Sequence, residues 1–288
     1  MDFTNVAICG ATAMKVPNEI KKTVAFLGYV NQVTGELVPV GSVFFLGHNS
    51  KDGAPFSERV YAVTAKHVID SLAKKGVEEV HIRLNLKSGQ SYTLVAVGMQ
   101  VADWFSHPSD DSIDVAIVSA SIPSIADHLV LPMSLCATEQ SLKENEVDVG
   151  DEVFVIGLFR HHVGKSRNIP IVRVGNLATM DEETVATTGF GEMRAYLIEA
   201  RSIGGLSGSP VFLNLGQVRS LGGKLVAPGV QCQLIGLVHG HYDVKSSEPA
   251  SADADGPSTE RINAGIAIVV PIDSIRSVIA EYEKNHPL

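Results

Sequence analysis

The sequence predicts an all-β protein in which two six-stranded antiparallel β-barrels follow one another and a C-terminal α-helix ends the chain. Short runs of β-branched and aromatic residues recur along the chain, separated by polar or Gly/Pro segments. About six such runs precede a proline-containing connection and about six follow it, while the strong helical pattern comes last. The 26 glycines and the 6% aromatic content also suit short strands with tight turns better than a helical bundle.

The first group of predicted strands lies in residues 22–121, which we expect to form the first barrel after an N-terminal extension, residues 1–21. Each run is short and rich in residues that favour an extended backbone. The predicted strands are 23–30, 42–46, 60–64, 81–86, 92–97 and 114–119. A short helix is predicted over 71–75.

The second group lies in residues 149–271, the predicted second barrel, after a linker over 122–148. Its strands are predicted at 152–156, 171–174, 194–200, 211–213, 234–238 and 266–270. The terminal helix, within residues 272–288, is predicted over 273–284, where Ile275, Val278, Ile279 and Tyr282 share one face. Residues 245–260 are rich in Ser, Ala, Asp and Pro, which predicts a mobile surface loop.

Charge and cysteine content exclude several classes of protein. The formal net charge is −9 and no run of basic residues is present, so we expect no nucleic-acid partner. No stretch of about 18 apolar residues is available to span a membrane, and we expect no membrane partner. Cys9, Cys136 and Cys232 lie far apart, which favours a reducing compartment over a disulfide framework. Because Met1 is not followed by a basic export signal, a cytoplasmic location is expected.

We also predict no metal site and no cofactor. His161 and His162 are the most suggestive pair, but adjacent side chains diverge on a strand and no third ligand is nearby in the sequence.

The most informative short motif is Gly-Gly-Leu-Ser-Gly-Ser-Pro, residues 204–210. A serine between glycines can occupy a tight turn with an exposed hydroxyl, and the glycines let neighbouring backbone amides converge on one point. Gly/Ser clusters are more often ordinary turns, so this motif alone does not establish a nucleophile at Ser207.

Two further residues stand where strands end or begin. His67 follows the predicted strand 60–64, and Asp114 opens the predicted strand 114–119. Taken singly, the histidine fits an ordinary strand-end residue and the aspartate fits a turn residue. A serine nucleophile, however, needs a base within hydrogen-bond reach, and the base needs a partner that fixes its tautomer. Together, His67, Asp114 and Ser207 supply these three components.

These motifs resemble those of the trypsin/chymotrypsin superfamily of serine proteases. The matching segments are Thr-Ala-Lys-His ending at His67, Asp-Val-Ala starting at Asp114, and Gly-Leu-Ser-Gly-Ser-Pro around Ser207. Residues 40–44, 150–157 and 265–271 match in register, so the resemblance covers roughly residues 22–285. It is greatest to the bacterial branch, with its HtrA/Deg-like and glutamyl-endopeptidase-like enzymes, and it implies a chymotrypsin-like double barrel.

The resemblance implies a serine endopeptidase that acts on a protein or peptide substrate. Ser207 is then the nucleophile, His67 accepts its proton and returns it to the leaving amine, and Asp114 holds His67. The backbone amides of Gly205 and Ser207 form the oxyanion hole. Because an unrestrained cytoplasmic protease would be toxic, a regulatory partner protein is also expected.

The resemblance further implies a substrate-binding strand over 236–241, an edge strand with Val238, His239, Gly240 and His241 along the substrate. Arg201 stands where trypsin-like enzymes place the residue at the base of the S1 pocket, and a cation there would favour an acidic P1 side chain. The alternative for Arg201 is a solvent-exposed side chain, or one paired with Glu199.

Several features depart from the family pattern. Leu206 replaces the aspartate that pairs with a newly cut N-terminus in secreted members, so zymogen cleavage of that kind is not expected. No segment resembles the PDZ domain of HtrA proteins. Two alternatives to an active enzyme stay open: a catalytically silent protease-like module that binds peptides, and a protease that a partner switches on.

Overall fold

The computed structural model describes residues 16–48, 59–87, 91–94, 99–159, 162–164, 166–180, 182–187, 190–200, 205–245 and 261–287. Within these ranges the secondary structure is dominated by antiparallel strands. The α-helices are α1 (Lys66–Lys74), α2 (Glu139–Glu144) and the C-terminal α3 (Ile272–Asn285).

The first half of the chain builds one sheet. Its spatial order is β5-β4-β1-β2-β3-β7-β6, and the short β8 pairs in parallel with β2. The strands are β1 (Val24–Val30), β2 (Leu37–Gly47), β3 (Val60–Thr64), β4 (His81–Asn85), β5 (Ser91–Leu94), β6 (Phe105–Ser106), β7 (Ala116–Ser119) and β8 (Leu131–Pro132).

The second half builds a closed six-stranded barrel in the order β10-β13-β18-β17-β14-β9. Two separate hairpins, β11–β12 and β15–β16, are inserted between its strands. The strands are β9 (Glu152–Leu158), β10 (Pro170–Thr179), β11 (Thr184–Thr187), β12 (Gly191–Arg194), β13 (Tyr196–Glu199), β14 (Pro210–Asn214), β15 (Arg219–Leu221), β16 (Lys224–Val226), β17 (Cys232–Lys245) and β18 (Arg261–Pro271).

The structure confirms the predicted all-β class, the closed six-stranded second barrel and the C-terminal helix. The first sheet has eight strands where six were predicted, because β6 and β8 are two-residue segments too short to show a pattern. Residues 122–148 contain β8 and α2. The helix predicted over 71–75 begins earlier, at Lys66, and therefore includes His67.

Apolar side chains from both halves form one continuous core. Phe26, Phe44 and Phe45 are fully buried in the first half. In the second half, Phe154 on β9 and Phe212 on β14 stack with ring centroids 5.1 Å apart. Burial of such large side chains is the main contribution to the stability of the first sheet and of the closed barrel.

Hydrogen bonds tie the two halves to each other at several levels. The Ser42 amide on β2 donates to the Ser207 carbonyl at 2.9 Å, and the Ala137 amide donates to the Leu234 carbonyl on β17 at 2.9 Å. The C-terminal helix α3 contacts both halves. The Tyr61 hydroxyl donates to the Glu283 carboxylate on α3 with an O–O distance of 2.7 Å. The Arg276 side chain on α3 donates to the Cys136 carbonyl.

The two cysteines in the described ranges are free thiols. Burial raises the pKa of the Cys136 thiol to about 11 and also raises that of Cys232. Both are therefore poor nucleophiles near neutral pH. Among the helices of the described residues, none has the length and apolar character that crossing a membrane requires.

The Phe154–Phe212 stack gives a direct test of the barrel core. Replacing Phe212 by Ala leaves a cavity beside Phe154, and we expect the free energy of unfolding to fall by about 3–5 kcal/mol. Guanidinium denaturation measures this loss. The control is Val33→Ala, because Val33 is 93% exposed and its truncation should change stability by no more than about 0.5 kcal/mol. Equal losses in the two variants would contradict the packing described here.

Candidate active site

His67 reaches the boundary between the two halves because a strand and a helix meet just before it. Strand β3 ends at Thr64, whose Oγ1 donates to the Ser42 carbonyl at 2.8 Å, and α1 begins at Lys66 after the extended residue Ala65. The first turn of α1 therefore carries His67. Its side chain is about one third exposed, so the ring borders both the protein interior and solvent.

Asp114 lies two residues before β7 and is fully buried. Its Oδ1 accepts the backbone N–H of His67 at 2.8 Å, so the carboxylate also pairs with an otherwise unsatisfied amide at the N-terminus of α1. Its Oδ2 lies 2.7 Å from Nδ1 of His67 and 2.5 Å from Nδ1 of His239. An ionised carboxylate only accepts hydrogen bonds, so both imidazoles donate from Nδ1.

These donors determine the charge state of Asp114. Burial by itself raises the pKa of the carboxyl, but the hydrogen bonds from His239 and His67 and the charge interactions with both rings together hold the pKa well below its usual range. The group is therefore a buried anion near neutral pH. Such an anion keeps His67 in the tautomer that carries its proton on Nδ1, which leaves Nε2 as an acceptor.

A β-bulge brings His239 to the same carboxylate. On β17, Val238 pairs with Val269 and Gly240 pairs with Ile268, so His239 is an extra residue between adjacent pairs. A bulge of this kind redirects a side chain. The His239 ring meets the His67 ring edge to face, with centroids 5.1 Å apart, and only 11% of its side chain is exposed.

Ser207 occupies a turn that only glycines allow. Gly205 and Gly208 have φ of +102° and +81°, in the region that favours glycine. A Cβ at Gly208 would lie 2.2 Å from the Ser42 carbonyl oxygen, so this position also requires close backbone approach. The Gly208 amide donates to the Val238 carbonyl at 2.8 Å, which fixes the turn against β17.

The Ser207 hydroxyl donates to the backbone carbonyl of His239 at 3.0 Å. Within the described residues, it makes no hydrogen bond to the His67 ring. Likewise, neither the Gly205 amide nor the Ser207 amide donates to another group in this part of the chain. The structure thus brings His67, Asp114 and Ser207 to one location, with the serine hydroxyl turned towards β17.

Leu206, directly before Ser207, is an apolar anchor for the turn. Its side chain is 2% exposed and packs against Gly157 on β9, where an added Cβ would lie 2.2 Å from Leu206 Cδ2. The glycine at 157 therefore provides the space that Leu206 fills. Apolar packing therefore holds Leu206 beside the turn.

The residues predicted for substrate binding are only partly described. Val238, Gly240 and His241 lie on β17 next to the turn, whereas Arg201 and residues 246–260 lie outside the described residues. The expectation of an edge strand over 236–241 is wrong at Gly236 and Leu237, which pair with β14 on one side and β18 on the other. From Val238 to His241, the described pairing is with β18 alone. The β14 register ends at Leu237, and the longer β17 continues past it.

His67, Asp114 and His239 also form the cluster of potential metal ligands in the described chain, with their ligand atoms within 4.8 Å of one another. Their nitrogen–oxygen separations are those of hydrogen bonds. Tetrahedral zinc with bonds of about 2.0–2.1 Å needs its ligand atoms farther apart than this. The arrangement therefore fits shared protons better than a bound metal ion.

Two features of the site were missed from sequence. His239 was placed along the substrate, whereas its ring lies against Asp114. The register shift between Val238 and Gly240 places His239 outside the regular pairing, and this bulge accounts for the different direction of its side chain. The second feature is Phe190, near the tip of the β11–β12 hairpin, whose ring contacts the His239 ring with centroids 5.6 Å apart.

Comparison with solved structures identifies the fold. The apo protease domain of MamO from Magnetospirillum magneticum superposes with a TM-score of 0.51 at 16% identity, over 90% of this chain and 97% of that one. Deg5 gives a TM-score of 0.48 at 16% identity, over 90% and 87% of the two chains. Human heparin binding protein gives 0.47 at 14% identity, over 96% of each.

No protein-family model matches this sequence, and neither does any curated protein. At such low identity, the likeness to the MamO domain concerns the fold and not the activity. The chain therefore has a trypsin-like serine protease fold, as the sequence motifs predicted.

The buried Asp114 carboxylate predicts an acid-dependent stability. Its pKa is lower folded than unfolded, so its stabilising contribution is complete above the ordinary aspartate pKa of about 4 and is lost as the pH falls below that value towards the folded-state pKa. Asp114→Asn should lower the free energy of unfolding by about 2 kcal/mol near neutral pH. The difference in this free energy between wild type and Asp114→Asn should become smaller as the pH is lowered.

Urea denaturation at a series of pH values measures this gap. Asp111→Asn is the control, because the Asp111 side chain is 98% exposed and its replacement should produce no comparable narrowing. A gap between wild type and Asp114→Asn that stays constant down to pH values below about 4 would contradict the proposed charge state.

Proposed function

We propose that this chain is a serine endopeptidase in which Ser207 is the nucleophile, His67 the general base and Asp114 the residue that orients His67. The observation that carries the proposal is the buried Asp114 carboxylate hydrogen-bonded to Nδ1 of His67, beside the glycine-flanked turn that presents Ser207. The trypsin-like fold supports the same conclusion, although many functions occur on one fold.

The geometry supports acid–base chemistry at the Nε2 atom of His67. With Nδ1–H donated to Asp114, Nε2 has a lone pair and accepts the proton of Ser207 Oγ as that oxygen attacks the scissile carbonyl. The imidazolium that forms lies next to the buried anion. It then gives the proton to the leaving amine, and water hydrolyses the acyl-enzyme by the same route.

Charge on the tetrahedral intermediate requires donors aimed at one point. The amides of Gly205 and Ser207 lie beside the Ser207 hydroxyl. Gly205 has a positive φ, a backbone conformation that residues with a side chain rarely adopt. Because both amides lack an acceptor among the described groups, they are available for an oxyanion.

The resting position of the Ser207 hydroxyl favours a second candidate: a protease-like module that binds peptides without cleaving them, or that cleaves them only after a partner activates it. Its Oγ donates to the His239 carbonyl, and attack requires rotation towards His67. This rotation changes one side-chain torsion of Ser207. We therefore favour the active enzyme, with that rotation as part of each turnover.

For the substrate, we propose preference for an acidic P1 side chain. In a panel of otherwise identical peptides with Glu, Gln, Leu or Arg at P1, the Glu peptide should have the highest kcat/KM. Arg201→Gln should reduce that preference, because it removes the cation proposed to pair with the P1 carboxylate. Highest activity on the Arg or Leu peptide would reject this specificity and leave the proposed chemistry unaffected.

Covalent labelling distinguishes the enzyme from a silent module. A fluorophosphonate probe should label the wild-type protein, and Ser207→Ala should abolish the labelling because the probe reacts with an activated serine. Ser209→Ala is the matched control. Ser209 lies two residues away, is fully buried, and its Oγ has no hydrogen-bond partner within the described residues, so labelling should persist.

Absence of labelling in a folded wild-type protein would favour the silent or partner-activated module. Labelling that survives Ser207→Ala would show that another residue is the nucleophile.

A further inference from the structure

We propose that His239 is a second positioning histidine of the active site, one that holds the Asp114 carboxylate through its Nδ1–H so that Asp114 can hold His67. This role rests on the proposed endopeptidase function. The contact that carries it is the 2.5 Å separation between His239 Nδ1 and the Oδ2 atom that also accepts from His67.

The Asp114 carboxylate is satisfied by donors from two separate segments. The start of α1 supplies the backbone N–H and Nδ1–H of His67, and the bulge on β17 supplies Nδ1–H of His239. A fully buried carboxylate that loses a donor is destabilised as an anion, because no water replaces the lost hydrogen bond. Removing the His239 donor therefore destabilises the Asp114 anion, and the change reaches His67 through its hydrogen bond to Asp114.

The surroundings of His239 hold its ring against Asp114. The rings of Phe190 and His67 both contact the His239 ring edge to face. The bulge places the ring, and the backbone carbonyl of the same residue accepts the Ser207 hydroxyl. His239 thus contacts Asp114 through its side chain and Ser207 through its backbone.

The charges around His239 predict a pH effect. Among the described residues, the ionisable groups that contact its ring are Asp114, before β7, and His67, on α1; Phe190, from the β11–β12 hairpin, is apolar. Hydrogen bonds from His239 and His67 keep the pKa of Asp114 low against the effect of burial. The acid limb of kcat/KM reports protonation of the general base in the free enzyme, here His67. Without the His239 donor, the negative charge on Asp114 is compensated by His67 alone and attracts the protonated His67 ring more strongly, so the acid limb should move to higher pH.

Two substitutions separate the hydrogen bond from the packing of the ring. His239→Phe keeps an aromatic ring and removes the donor. It should lower kcat by about 10- to 100-fold, the rate equivalent of one hydrogen bond to a charged group, with little change in KM and with the acid limb moved to higher pH. His239→Asn keeps an N–H near the Nδ1 position and should retain most of the activity and the wild-type acid limb.

The control is His48→Asn, the same replacement at a histidine that pairs with Glu283 on the surface, 2.9 Å away. It should leave kcat and the pH profile unchanged. Wild-type kcat and acid limb in His239→Phe would overturn the proposal. So would equal losses in His239→Phe and His239→Asn, because the ring's packing and not its donor would then be responsible. If the His239→Phe variant does not fold, the same kcat and pH measurements are made on His239→Ala, which also removes the donor.

A second experiment detects these hydrogen bonds independently of catalytic activity. In ¹H NMR spectra of Ser207→Ala, imidazole Nδ1–H protons bound to a buried carboxylate should give two far-downfield resonances, one from each histidine. Adding His239→Phe should remove one and shift the other, whereas adding His48→Asn should change neither. Identical downfield spectra with and without His239→Phe would overturn the proposal. An inactive wild-type protein that shows both resonances would refute the peptidase function and leave the His239–Asp114 hydrogen bond established.

Discussion

The arrangement of the site depends on one buried anion. The Asp114 carboxylate lies out of contact with water, and burying an isolated charge is costly unless donors surround it. Those donors come from the start of α1 and from the bulge on β17, so both halves of the protein must be in place to satisfy it. The same contacts fix the tautomer of His67 and place His239 beside Ser207. Folding and the proposed chemistry therefore both require that the buried Asp114 carboxylate be fully hydrogen-bonded.

Much of this architecture could be predicted from sequence, because the relevant signals are local. Alternating apolar residues identify strands that bury one face, and a 3.6-residue period identified α3 nearly to its ends. His67, Asp114 and Ser207 each stand in a short motif whose residue types suit their proposed roles. The glycines beside Ser207 could be recognised because the turn needs positive φ at Gly205 and Gly208, and this requirement restricts the residue type.

Other features depend on long-range contacts that leave little local trace. The β15–β16 hairpin is largely exposed, so its strands lack the alternation that burial imposes. The bulge at His239 is defined by the register between β17 and β18, and one extra residue on one strand becomes meaningful only when its partner is known. The orientation of the Ser207 hydroxyl depends on the carbonyl that the bulge exposes, so it could not be inferred either.

The central claim is that Ser207 carries a covalent acyl group during turnover. A slowly deacylating ester substrate, quenched in acid and followed by peptide mass mapping, measures this directly. We expect the acyl mass on the peptide that contains Ser207, accumulating in the wild-type protein and absent from Ser207→Ala. Hydrolysis without an acyl-protein, or an acyl group on another residue, would contradict the proposed mechanism.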